Sequence, residues 1–175
     1  MSALRLIKET EVISGVSSIN ITDVFSADFD IYMVDFSSLL STSSSYYYIR
    51  CINSSGSVVS TDNDFATHLV RSNGTEYEYR GLNTVSMWAT SNVVVSAGNG
   101  NTGNAGVLYF FNPFSSSSYT FMLGQEAYYG YSSSRQNKHI GVHTNTTSMT
   151  GINLLNYAST FTGGTIRTYG LRVDS

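Results

Sequence analysis

The sequence predicts an all-β domain, and three observations predict it. Short apolar runs recur roughly every ten residues, separated by Gly, Ser, Asn and Asp, the spacing of a sandwich or barrel. No window of a dozen residues carries apolar positions at i, i+3, i+4 and i+7 among good helix formers. The runs are also filled by β-branched and aromatic types, which suit a pleated surface. With 175 residues the chain is long enough for one domain with a real core. No repeat or linker divides it, so residues 1–175 are read as a single unit.

The elements follow in order. Strands are predicted near 4–13, 16–22, 30–37, 45–53, 65–71 and 76–80, then near 85–96, 106–112, 118–130, 138–147, 151–156 and 165–173. In 30–37, period-two alternation puts Tyr32, Val34 and Phe36 on one face and Asp35 on the other, so the first set is core. In 45–53 the matching set is Tyr47, Ile49 and Cys51, with Arg50 outward. "DND" at 62–64 reads as a turn before the strand at 65, and "NVVVSA" as part of the run at 85–96. "GVLYFFNP" is a strand that Pro113 ends. In 151–156, Ile152 and Leu154 point inward together. Gly163 and Gly164 read as a turn before the last strand. There Tyr169, Leu171 and Val173 share a face while Ile166 has the opposite parity; either a bulge intervenes or both faces are covered.

Composition narrows the function. Charged residues make up only 12% of the chain, where about a quarter is usual. The polar surface must therefore be built from Ser, Thr, Asn and Gly, a neutral surface that suits contact with copies of the same chain or with sugars. The net charge of −3 and the lack of a basic run argue against a nucleic-acid partner. The single cysteine, Cys51, excludes an internal disulfide and reads as a small buried hydrophobe. "MSALRLIKETEV" has no apolar h-region, which predicts no secretory leader, and no apolar run approaches the length of a membrane-spanning helix. N-x-[ST] matches at Asn20, Asn53, Asn73 and Asn145 are expected by chance in a chain of this composition.

The chemical motifs are weak. Gly98, Gly100 and Gly103 match G-x-G-x-x-G, but a strand-like run follows where a dinucleotide fingerprint needs a helix, so no cofactor is expected. His139 and His143 have the spacing of a helical metal pair, yet on a strand four residues span roughly 13 Å, too far for one ion. His68 would join them only by accident of folding. Asp23, Asp28, Asp30 and Asp35 crowd one segment without the spacing of a calcium loop, so no metal is expected either. G-x-S-x-G is absent, and after Glu78 only Glu126 and Asp174 remain as acids, which argues mildly against a carboxylate pair for sugar hydrolysis.

Aromatics are the remaining candidates. Tyr46, Tyr47, Tyr48, Tyr77, Tyr79, Tyr128, Tyr129, Tyr131 and Trp88 exceed what a core of this size needs. About half of any strand faces outward. Tyr46, Tyr48, Tyr77, Tyr79, Tyr129 and Tyr131 are therefore candidates for subunit or glycan contact, with subunit contact favoured, since exposed Tyr pairs an apolar ring with a wet tip. A neutral aromatic surface needs covering, so the chain is expected to associate with itself, as a trimer. Residues 1–13, with Leu4, Leu6 and Ile7, are too apolar for a free tail. Within the chain they would pair with an edge strand; between chains they would serve as an attachment segment by adding a strand to a neighbour.

Two segments carry a family resemblance. "INITDVFSADFDIYMVDF" (19–36) and "GINLLNYASTFTGGTIRTYGLRV" (151–173) resemble the small β-rich structural proteins and fibre-head domains of tailed bacteriophages, those of marine cyanophages especially. Phe25, Ser26, Phe29, Asp30 and Tyr32 fit the early pattern, and Phe161, Gly164, Thr165, Ile166, Tyr169 and Gly170 the closing one. The resemblance implies an antiparallel jelly-roll-like β-sandwich whose first and last strands share sheets. It also implies a non-enzymatic protein on the virion surface, a head decoration or a tail or fibre accessory, assembled in the host cytoplasm beside other virion proteins. The rival readings are a glycan-binding receptor module for host attachment and a small glycan-cleaving enzyme.

Overall fold

The computed structural model describes residues 3–43, 45–89, 103–130 and 133–172. Among them no helix occurs, and all regular structure is strand. The strands are β1 (Ala3–Glu11), β2 (Ser18–Ile21), β3 (Ile31–Ser41), β4 (Tyr47–Asn53), β5 (Asn63–Arg71) and β6 (Glu76–Thr84). They continue with β7 (Trp88–Ala89), β8 (Asn104–Phe111), β9 (Thr120–Gly130), β10 (Ser133–His143), β11 (Met149–Asn156) and β12 (Phe161–Arg172).

Their pairing is nested. β1 pairs with β12, β2 with β11, β3 with β8 and β4 with β7, all antiparallel. The chain thus resembles one long hairpin rolled up on itself, with successive pairs falling alternately in two sheets. One sheet carries the order β1-β12-β3-β8 and the other β2-β11-β4-β7, which is the wiring of a jelly roll. Two hairpins are spliced into the roll. β5–β6 lies between β4 and β7 in sequence and β9–β10 between β8 and β11, and both extend the first sheet to eight strands, ending β8-β9-β10-β5-β6.

The core lies between the sheets. Tyr32, Val34 and Phe36 of β3 and Leu108 and Phe110 of β8 meet Ile19 and Ile21 of β2, Ile49 and Cys51 of β4, and Ile152 and Leu154 of β11. The alternation predicted for β3, β4 and β11 holds, with Asp35 and Arg50 on the other faces. A bulge at Ser38, whose φ is +52°, resets the parity of β3 so that Leu39 is buried too.

Three expectations change. Gly163 and Gly164 are not a turn: β12 begins at Phe161 and passes through both with register shifts against β3. Gly164 holds φ +128°, and a Cβ there would sit 2.8 Å from the Leu39 Cα, so the double glycine is a bulge pressed against β3. From Ile166 to Leu171 the register is unbroken, so Ile166 faces the core while Tyr169 and Leu171 face outward; both faces of β12 are apolar. β10 starts at Ser133 rather than near 138, because its inward positions there are polar and leave no apolar alternation to read. The expected strand at 85–96 is described only as far as Ala89, within the short β7.

Residues 3–11 are strand, not tail. β1 runs beside β12 from Ala3 to Glu11 with one register shift at Ile7, which packs on the core, and Val12 beyond it is buried. Leu4 and Leu6 stand on the outer face, and among the described residues the far edge of β1 has no neighbour in the sheet.

Candidate functional site

The four-stranded sheet covers one face of the larger sheet; among the described residues the other face is open. Cross-strand register sets its side chains in rows. One row contains Leu6, Tyr169, Met33, Tyr109, Leu123 and Ile140, running from β1 through β12, β3, β8 and β9 to β10. The next, two residues along each strand, contains Leu4, Leu171, Ile31, Phe111, Phe121 and Val142. Leu123 is 47% exposed and Ile140 53%. On the other side of the first row lies a polar one: Glu9, Arg167 and Asp35, then Val107, Gln125 and Lys138. Arg167 bridges its two acids, with Nε 2.6 Å from Glu9 and Nη1 3.7 Å from Asp35. Two shallow hollows flank the ridge of Lys138 and Ile140. Tyr109 and Leu123 line one, Ala66 and Arg80 the other. Two apolar rows crossing six adjacent strands form a far broader apolar surface than singly scattered hydrophobes, and such surfaces mark contacts with other molecules.

The candidate tyrosines scatter. Tyr77 and Tyr79 lie on β6, on the same side of the sheet as the core but beyond the reach of the small sheet. Their rings stack 6.3 Å apart, and the Arg71 guanidinium sits 4.5 Å above Tyr77. Tyr48 packs against Tyr157 at 5.4 Å beside β11, and Tyr46 is exposed just before β4. Tyr129 stands exposed on the outer face of β9. Tyr131 lies outside the described residues, as do Gly98 and Gly100; Gly103 is followed by strand β8, not by a helix. The rows of the outer face escaped the sequence reading. On β9 the exposed Phe121 and Leu123 alternate with the buried Met122, so both parities look apolar, and on β10 the exposed Ile140 stands between the buried His139 and Gly141, so the apolar residue is the one that faces out.

The inner face of β9 and β10 holds the strongest titratable cluster. Glu126 accepts hydrogen bonds from the side-chain amides of Asn137 and Asn104, the latter at 3.3 Å. The His139 ring lies between Glu126 and Thr67: Nε2 is 3.6 Å from the carboxylate and Nδ1 is 2.8 Å from the Thr67 hydroxyl. These partners assign the tautomer, with Thr67 donating to Nδ1 and Nε2–H directed at Glu126. Burial lowers the His139 pKa, against the opposing pull of Glu126, so the neutral ring is favoured. An acid, an imidazole and a hydroxyl in series have the order of a catalytic relay. Here the Glu126 and His139 side chains are wholly buried and Thr67 nearly so, and the set acts as a polar seam within the core.

The other titratable groups do not converge. His68 faces outward from β5, 3.4 Å from Glu76, whereas His139 and His143 face inward. His143 Nδ1 is 3.1 Å from the Asn63 amide oxygen. Asp28 accepts from Ser26, and Asp35 turns to Arg167 instead. Among the described residues no three His, Cys, Asp or Glu side chains gather as a metal site would need. Cys51 lies 3.4 Å from the Met87 sulfur, and burial pushes its thiol up to about 12.

No protein-family profile matches the chain, and no curated protein sequence matches it. Among solved structures, 99% of the chain aligns with the VP2 protein of the infectious bursal disease virus subviral particle, at 8% identity and a TM-score of 0.13. The structure of the virus's Gx strain aligns over 98% at 7% identity and a TM-score of 0.15. The chain spans about two fifths of those proteins, 39% and 40% of their lengths. Neither likeness is close enough to transfer a fold or a role.

Proposed function

We propose that the protein is a non-enzymatic structural component of a tailed-phage virion, carried on the particle surface as a head decoration or a tail or fibre accessory. The observation that carries this reading is the open face of the eight-stranded sheet, where two apolar rows cross a chain with few charges. A subunit that lives packed against others has that surface. The phage setting rests on the resemblance of residues 19–36 and 151–173. Burial of the Glu126 and His139 side chains supports the non-enzymatic side. Mass spectrometry of purified virions, with antibody labelling of intact particles, tests the reading. The protein is expected on the particle surface, and its absence from virions overturns the proposal.

One observation favours a second reading, a glycan-binding module for host attachment. The stacked Tyr77 and Tyr79, with Arg71 above, form an aromatic platform of the kind a sugar face stacks on. A glycan array decides it: specific binding that Tyr77→Ala abolishes establishes this role, and a blank array removes it.

A further inference from the structure

We infer that the open face of the eight-stranded sheet is a two-fold interface with a second copy of this chain, the two sheets packed face to face with the axis running along the strands between β8 and β9. This rests on the structural-subunit reading and deepens it by naming the partner.

The axis follows from the sheet order. Its midpoint falls between β8 and β9, with four strands on either side. Rotation about an axis along the strands lays β8 over the partner's β9 and β3 over the partner's β10, and it keeps each row over itself. On the four central strands apolar residues therefore meet apolar residues, while at the flanks Leu6 comes over the second copy's Arg80 and Leu171 over its Asp64. Tyr109 comes over the second copy's Leu123, Met33 over its Ile140, and Tyr169 over its Ala66, the small residue flooring the hollow beside Ile140. Each contact occurs twice, as an isologous interface requires.

Charge supports the same pairing. The polar row carries Asp35 on β3 and Lys138 on β10, so the rotation sets each Asp35 against a Lys138. Arg167 comes over the partner's His68 and Glu9 over its Glu78 toward the outer strands, where twist parts two packed sheets. Aligned packing at a layer spacing of about 10 Å is the ordinary geometry for two such faces. The six inner strands span roughly 24 Å and three rows with their side chains cover roughly 20 Å, a projected ~480 Å² per partner, the size of a weak, reversible interface below the ~800 Å² standard. The geometry favours a two-fold pair over the three-fold association that composition alone had led us to expect.

The test uses the purified full chain. Light scattering at high micromolar concentration is expected to give a dimer mass, and Leu123→Glu a monomer with unchanged circular dichroism. The double variant Asp35→Cys with Lys138→Cys leaves the apolar rows intact. The two cysteines lie three strands apart within one chain, about 14 Å, too far to bridge internally. Facing sheets about 10 Å apart hold the two thiols too far apart for a disulfide but within reach of a bis-maleimide that spans about 8 Å, so that reagent is expected to link the double variant as a dimer and neither single variant. A wild-type monomer, a trimer indifferent to Leu123→Glu, or a double variant that stays uncross-linked overturns the interface. Detection on virions is a separate readout, so a monomeric protein found on particles would sink the two-fold pair while leaving the virion role standing.

Discussion

His139 shows how a single side chain writes itself into the pH dependence of the whole domain. Burial disfavours its imidazolium, so the folded state takes up a proton less readily than the unfolded chain, whose histidine titrates at about 6.5. Below that value the unfolded state binds more protons, and stability falls as pH drops toward the folded pKa. His143 is lowered by burial as well and adds in the same direction. The melting temperature is therefore expected to decline between about pH 7 and pH 5, and His139→Gln to flatten the decline even as it lowers the whole curve. A variant with the wild-type slope would assign the pH dependence elsewhere. Cys51 gives a second check at this scale. Its thiol, buried and held protonated, should resist an aromatic disulfide reagent in the native protein and react at once in denaturant.

Strands β10 and β1 carry the predictions at the scale of the element. Gly141 of β10 lies under the Met87 carbonyl, and an added Cβ would come within 2.2 Å of that oxygen. Because the obstacle is backbone, relief requires the β7 segment to move away from β10. Gly141→Ala is expected to cost about 1–3 kcal/mol, read from the shift in denaturant midpoint. β1 was expected either as an edge strand of its own sheet or as an arm for a neighbour, and in the fold it is the edge strand. Deleting residues 1–13 strips β12 of a partner and removes Val12, only 8% exposed, from the core. The melting temperature should fall by about 5–10 °C, two or three kcal/mol for a chain of this size. An unchanged melting temperature would show that β1 is dispensable to the fold and free to serve attachment through its outer edge.

For the molecule as a whole, what could be read beforehand depended on whether burial and hydrophobicity coincide. They do in β3, where Tyr32, Val34 and Phe36 alternate cleanly, and in β4 and β11, so the core of the roll was legible. They do not in β10, whose buried Arg135, Asn137 and His139 look like surface residues in sequence. The outer face was hidden for the opposite reason, since exposed Phe121 and Leu123 look like core. The Gly163–Gly164 pair has two uses, turn or bulge, and only the press of β3 against it selects the second. A jelly-roll-like sandwich was what the resemblance of the two end segments implied, and the strands of β5–β6 and β9–β10 were legible near 65–71, 76–80, 118–130 and 138–147, but nothing in their periodicity marked them as hairpins spliced into the roll.

The nested pairing also sets a timetable for synthesis. β12, the partner of β1, leaves the ribosome ~150 residues after it, a wait of roughly ten seconds or more at ordinary translation rates. β2 waits nearly as long for β11. By contrast, β5 with β6 and β9 with β10 are complete within a few residues of their own turns. The nascent chain therefore carries two finished hairpins while its first strands, with Leu4 and Leu6 among them, stay unpaired. A cell making this protein has to shield those early strands until the late ones arrive.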